Sequence, residues 1–255
     1  MGSAIVRGVN NKLGNTAVFV YDSDPEKLKG LTHHGATAAG SVGEIAKRCG
    51  YILLAVKPQQ LDEVLEEIKK ADNNEIVIIS ICAGISAEYI RKRTFDSAKI
   101  VLVMPNTPMM LGKGASAMCK CKNVSDTEFA FAKKIISSCG ITETIPEDKM
   151  KEIIAINGSS PAFIYIYAKG FMQYAEKVGI DGDAALRLFA QSLIGSAKMM
   201  TESGMTIDEL IKQVSSPGGT TLAGLQELYD GHLTDTVVKA CEACTKRAYE
   251  LGEKK

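Results

Sequence analysis

The residues with the most chemistry in them form one run, Ser215-Ser216-Pro217-Gly218-Gly219-Thr220-Thr221. Proline suits the first position of a helix, and serine suits the cap before it. A start of that kind leaves the amides of Gly218, Gly219, Thr220 and Thr221 pointing outward at the positive end of a helix, a ready anion site. Two glycines admit a ligand close to the backbone, and two hydroxyls stand by to orient it. A carboxylate is the natural guest, and this reading is preferred to simple capping. Ser159-Ser160-Pro161 makes a similar helix start without the glycines and reads mainly as a cap.

A second set lies where short apolar runs end: Tyr21-Asp22-Ser23-Asp24-Pro25, Ala55-Val56-Lys57-Pro58, Cys82-Ala83-Gly84 and Met104-Pro105-Asn106-Thr107-Pro108. Small residues let a ligand approach the backbone, and proline fixes the turn. In an open α/β sheet, ligands lie beyond the carboxyl ends of the strands, so four such termini together favour a nucleotide. Asp22 lies 20 positions after Gly2, close to where a dinucleotide fold places the carboxylate that bonds the adenosine ribose and repels a 2′-phosphate. It equally suits an Asx-type turn before Pro25. Both readings stand.

Seven cysteines are scattered along the chain, an odd number that argues against a disulfide framework and for a reducing compartment. Cys119/Cys121 and Cys241/Cys244 are spaced like metal ligands, but the second pair falls at i, i+3 in an apparent helix. His33, His34 and His232 show no ligand spacing. The cysteines therefore read as small buried or half-buried thiols, and no metal is expected.

These residues must be positioned by elements of two rhythms. Over residues 1–145, strand candidates at 17–21, 51–56, 76–81, 100–104, 115–119 and 141–145, the first four apolar nearly throughout, alternate with amphipathic stretches at 42–48, 60–71, 87–93 and 126–139. Leu61, Val64, Leu65 and Ile68 share one helical face. Repeated strand–helix–strand units predict a parallel sheet. Over residues 146–255 helical periodicity takes over, and 147–156 itself reads as helix, not linker. Leu186, Phe189, Ala190, Leu193, Ile194 and Ala197 form a stripe that Ala185, Leu188 and Met199 widen beyond the needs of a surface helix. That breadth is read as a subunit interface in preference to a bundle core.

Lys+Arg and Asp+Glu balance at 30 each, with no basic stripe of the kind nucleic-acid or membrane-surface proteins carry. The apolar run 162–168 ends at Lys169, far short of the ~20 residues a membrane span needs. A small-molecule partner and a cytoplasmic location are the expectation.

Four runs carry a family resemblance: Ala55-Val56-Lys57-Pro58-Gln59, Val103-Met104-Pro105-Asn106-Thr107-Pro108, Asn157-Gly158-Ser159-Ser160-Pro161-Ala162 and Ser215-Ser216-Pro217-Gly218-Gly219-Thr220-Thr221, with Gly195-Ser196-Ala197-Lys198 as a further match. In this order and spacing they resemble the motifs of pyrroline-5-carboxylate reductases. The resemblance implies an α/β Rossmann-type domain followed by an all-α domain that dimerises, often with further assembly. It implies NADPH or NADH as cofactor and 1-pyrroline-5-carboxylate as substrate. Met1, Gly2, Asp22, Ser23, Ala55, Val56, Lys57, Pro58, Ala83, Gly84 and Asn106 would then line the cofactor. Ser216, Gly218, Gly219, Thr220 and Thr221 would hold the substrate, with Thr221 nearest the imine.

The departure is at the start. The family normally opens with a short strand and a Gly-x-Gly turn, of which Met1-Gly2 resembles the tail; strand one and two of three glycines are not in the sequence. In this fold that strand is central, so its two neighbours are expected to keep unpaired edges, each buried group costing about 1–3 kcal/mol. The expectation is a mis-started reading of a longer chain, with weak cofactor binding by the chain as written.

The implied reaction adds hydride to an imine, already electrophilic when protonated. No His, Cys or carboxylate lies in the 215–221 run, so Thr221 is expected to donate a hydrogen bond to the ring nitrogen while the final proton comes from water or the protonated imine. Two rivals remain. A relative of the β-hydroxyacid dehydrogenases would use a helix lysine, for which Lys169 and Lys198 are available without a presenting motif. A non-catalytic dinucleotide-binding subunit would have no use for the open anion tip. Asp22 leans toward NADH, while Lys27 and Lys29 lie close enough in sequence to serve a phosphate.

Overall fold

Alternation along the strands decides how the first part of the chain packs. In the computed structural model, which describes residues 1–57 and 59–253, Pro58 lies outside the described residues. Helix α1 (Gly2–Lys12) leads to β1 (Phe19–Val20), α2 (Pro25–His33), β2 (Thr37–Ala38), α3 (Val42–Arg48), β3 (Tyr51–Leu54), α4 (Leu61–Lys70), β4 (Val77–Ser80), α5 (Ala87–Arg93), β5 (Lys99–Met104), β6 (Gly114–Lys120), α6 (Asp126–Ser137) and β7 (Gly140–Thr144). On β4 and β5, Ile78, Ile100 and Leu102 face one core with Leu61, Leu65 and Ile68 of α4, while Val77, Ile79, Val101 and Val103 face the other with Ala4, Ile5 and Val9 of α1. Strands covered on both faces are apolar nearly throughout, with Ser80 of β4 an exception, and this is why they were legible as near-continuous runs. The helical face expected on α4 is buried, with Val64 at its margin.

The five-stranded sheet has the order β3-β4-β5-β6-β7. Its pairs are parallel except β5–β6, which run antiparallel, Val103 opposite Met118. The parallel expectation fails there because residues 105–113 contain only a 3₁₀ turn, Thr107–Leu111, too little for the crossover that parallel neighbours require. Strands β1 and β2 form a separate parallel pair. Among the described residues β1 and β3 each pair on one side only. Helix α1 lies across both sheets, with Val6 packed on Val20 and Leu31 while Ile5 and Val9 pack on the larger sheet. The helix α2 and strand β2 escaped the sequence reading: α2 buries only Leu31, so it has no apolar stripe to betray it.

Contacts divide the chain into one unit comprising Met1–Ser159 with the end of the chain from Ala243, and a second comprising Ser160–Glu242. The segment read as continuous helix over 147–156 is instead a 3₁₀ turn, Glu147–Lys149, and a π-helical turn, Ile154–Gly158. Tyr249 closes over it, donating to Glu152 Oε1 at 2.8 Å, with Lys151 4.4 Å from the centre of the Tyr249 ring.

The second unit is helical: α7 (Ser160–Lys177), α8 (Gly182–Glu202), α9 (Ile207–Gln213), α10 (Thr220–Asp230) and the first part of α11 (Leu233–Glu253). Phe171 of α7 stacks on Phe189 of α8 at 4.2 Å. Asp181 caps α8, and Thr206 with Glu209 forms a reciprocal capping box on α9. None of α8, α9 or α10 contains a buried residue. Leu188 is 70% exposed and Ile194 54%, so the broad apolar stripe of α8 is largely uncovered within one chain.

Candidate active site

Gly2 and Ala55 define the first edge of the site. A Cβ built on Gly2 would lie 3.1 Å from the Cβ of Ala55, closer than side chains ordinarily approach. The lack of a side chain lets the start of α1 rest against the exposed residue that follows β3. Met1 caps α1 without a side-chain hydrogen bond, and the first turn carries no acid. The first amides of the helix therefore face outward at its positive end, where a phosphate group fits.

Asp22 follows β1. Its Oδ1 accepts the N–H of Asp24 at 2.9 Å, the Asx-type contact that was one of its two readings; Asp24 in turn caps α2 by accepting from Glu26 N–H at 3.0 Å. Ser23, between them, is exposed. Lys27 and Lys29 are engaged along α2, at 3.4 Å from Asp24 and 2.7 Å from Glu26, so neither stands idle beside Asp22. Lys57 and Ala83 are exposed, and Val56 and Gly84 are half-buried. Gly84 borders a cavity of about 80 Å³ shared with Ser86, Met104, Glu147, Lys151 and Ile154.

Asn106 is only 8% exposed, and its Oδ1 accepts the N–H of Ala115 at 2.9 Å. Half of its amide is thus committed to holding the turn after β5, and Nδ2 is the half left to meet a ligand. Asn157 holds the same turn from the other side: its Nδ2 donates to the carbonyls of Met104 at 2.7 Å and Ala115 at 3.1 Å. Those two acceptors fix the orientation of the amide, since a flipped group would set its oxygen against two carbonyls. Asn157 Oδ1 is buried without a partner. The sequence places Asn157 within a motif without giving it a role; the π-turn that carries it, a kind of turn that often marks functional sites, is visible only in the structure.

The anion tip of the second unit differs in detail from the expectation. Helix α10 begins at Thr220 with Gly219 as its cap, not at Pro217 with Ser216. Gly218 takes a left-handed φ of 72°, which closes a turn in which Gly219 N–H donates to Ser216 carbonyl at 2.9 Å. The Gly219 amide is therefore used internally, and the outward donors are those of Thr220, Thr221 and the residue after them. A Cβ on Gly219 would sit 3.0 Å from Ser216 O, so a side chain there would disturb the turn itself. Ser216, Gly218, Thr220 and Thr221 are all exposed, no side chain caps the helix, and its first turn has no acid. Within its unit the tip is open.

Similarity to known proteins runs along nearly the whole chain. A family model for pyrroline-5-carboxylate reductase dimerisation matches residues 147–251, and one for coenzyme F420-dependent NADP oxidoreductases matches residues 1–84. A pyrroline-5-carboxylate reductase of Haemophilus influenzae is 34% identical over 98% of this chain and 94% of its own length. One of Aquifex aeolicus is 32% identical over 98% and 94%. Among solved structures, a pyrroline-5-carboxylate reductase from Coxiella burnetii superposes with a TM-score of 0.92 at 29% identity, covering 98% of this chain and 94% of that one. The Plasmodium falciparum enzyme with NADP bound gives 0.85 at 31% identity, covering 99% and 94%. The chain belongs to the pyrroline-5-carboxylate reductase family.

Proposed function

We propose that this protein reduces 1-pyrroline-5-carboxylate to L-proline, the last step of proline biosynthesis, as an NAD(P)H-dependent oxidoreductase. The observation that carries the reading is the open, acid-free N-terminus of α10, with two threonines at its first positions. Its outward amides receive the substrate carboxylate, with Ser216, Gly218, Gly219 and Thr220 shaping the pocket and Thr221 directing its hydroxyl at the ring nitrogen. Bound nicotinamide supplies the hydride. On the chain's side, Met1 and Gly2 take the phosphates, Asp22 and Ser23 the ribose, and Ala55, Val56, Lys57, Ala83, Gly84 and Asn106 the remainder of the cofactor; Pro58 belongs to the same set. A hydroxyl is a weak acid, so Thr221 orients the imine, and water or the imine's own proton completes the product.

The uncovered apolar faces of α7 and α8 support a homodimer, and sedimentation of a Leu188→Asp variant as monomer tests it. Seven free thiols support a reducing, cytoplasmic setting. Among the described residues no helix is long and apolar enough to cross a membrane. The direct test is oxidation of NADPH and of NADH by purified protein with and without 1-pyrroline-5-carboxylate. Substrate-dependent oxidation supports the proposal, and its absence with both cofactors rejects it.

A further inference from the structure

Cys119 on β6 and Cys121 just beyond it point to the same side of the sheet, as residues two apart on a strand must. Both are 3% exposed, and their sulfurs are 3.9 Å apart. The antiparallel register with β5 holds them: Cys119 lies opposite Leu102, and Cys121 N–H donates to the Ile100 carbonyl at 3.2 Å. The chain then returns through β7 and places Glu147 beside them, so that the two sulfurs and a carboxylate oxygen all lie within 4.8 Å of one another. Sequence spacing showed the two thiols but not the carboxylate, which is why the pair read as inert.

The distances suit one ion. Two sulfurs each about 2.3 Å from a metal and 3.9 Å apart subtend an angle of roughly 115° at it, between the tetrahedral and trigonal values. The electrostatics agree. The Glu147 carboxylate lies beside both thiols, and no Lys, Arg or His among the described residues forms an ion pair with it. A cation is the complement the cluster lacks.

We propose that Cys119, Cys121 and Glu147 form a binding site for a thiophilic divalent metal ion of the zinc class, separate from the residues assigned to substrate and cofactor. Two thiolates and one carboxylate leave a fourth position for water. Binding releases the two thiol protons to solvent and changes no oxidation state. The ion would tie β6 to Glu147, which also borders the cavity beside Gly84 and Met104.

The test uses cobalt(II) as a spectroscopic stand-in, added to the reduced, full-length protein. The expected result is about one cobalt per chain, with a thiolate-to-cobalt charge-transfer band that zinc displaces. The Cys241→Ser/Cys244→Ser variant keeps the band, Cys119→Ser/Cys121→Ser loses it, and Glu147→Gln weakens binding by about tenfold or more. If the Cys119→Ser/Cys121→Ser protein does not fold, X-ray absorption at the zinc edge of the zinc-loaded native protein decides: sulfur neighbours at about 2.3 Å support the site. Absence of the band, its persistence without Cys119 and Cys121, a zinc shell without sulfur, or a Cys119–Cys121 disulfide with no metal uptake after reduction overturns the proposal.

Discussion

Asn106 and Asn157 grip the same residue from two directions: Ala115 donates its N–H to Asn106 Oδ1 at 2.9 Å and accepts at its carbonyl from Asn157 Nδ2 at 3.1 Å. Because Asn157 also reaches the Met104 carbonyl, the turn after β5 is fixed at both ends by amides that lie 51 positions apart in sequence. Under the proposed function, in which Asn106 lines the cofactor, Asn157 is a positioning residue that acts through Met104 and Ala115.

Asn157→Ala should lower stability by about 1–3 kcal/mol, the cost of leaving two half-buried carbonyls unpaired. It should also raise KM for the nicotinamide cofactor more than KM for the imine. Asn157→Asp, though isosteric, should be worse, because a carboxylate would face two carbonyl acceptors. Thermal melts and paired KM values check this; an aspartate variant as stable and as active as wild type would contradict it.

Gly2→Ala should weaken cofactor binding by roughly tenfold, on the order of 1.4 kcal/mol, since its Cβ would crowd Ala55 at 3.1 Å. Adding Ala55→Gly should restore part of the loss. Fluorescence titration of NADPH against the single and double variants measures the coupling, and strictly additive effects would mean that the two residues do not share the site.

Much of this geometry was legible in the sequence because of how the strands are buried. Runs such as 76–81, interrupted only by Ser80, are apolar since both faces of β4 are covered, and small residues marked the turns in which the strands end. The antiparallel β6 was not legible, because direction depends on what a connection contains, not on the strand's own residues. Helix α10 began later than expected because Ser216-Pro217 satisfies the rules for a helix start equally well in a turn; only the left-handed Gly218 shows which was adopted. The roles of Asn157 and Glu147 rest on contacts between distant parts of the chain, beyond any local pattern.

Thr221→Ala should lower kcat/KM by about 10–10³-fold, the scale of losing one oriented polar contact at the reacting group. Among the described residues its hydroxyl has no hydrogen-bond partner, and it lies exposed at the start of α10, so the melting temperature should barely change. Steady-state kinetics with both substrates varied decide the matter. An unaltered kcat/KM would remove Thr221 from the mechanism.

Stability should show two pH limits at Lys99, whose ammonium sits 2.6 Å from Glu75 and 2.9 Å from Glu128. Lys99 and the Ser125 amide hold the Glu128 carboxyl below its ordinary range. That contribution is complete above the unfolded value of about 4.3 and is lost as pH falls through the folded one. Glu75 and Glu128 raise Lys99, a contribution complete below about 10.4 and lost as pH rises past the folded value. Lys99→Met should therefore flatten both limbs of a melting-temperature profile. Parallel profiles for variant and wild type would show that the cluster adds nothing.

The account rests on a carboxylate being held at the N-terminus of α10, and competition against 1-pyrroline-5-carboxylate by L-proline and by L-prolinamide tests that most directly. The two differ only in the charge and hydrogen-bonding of the group the helix tip would grip. L-proline should compete, and the amide should bind more weakly by about tenfold or more, on the order of 1.4 kcal/mol. Equal inhibition by the two would contradict the account, because the tip would then not be reading an anion.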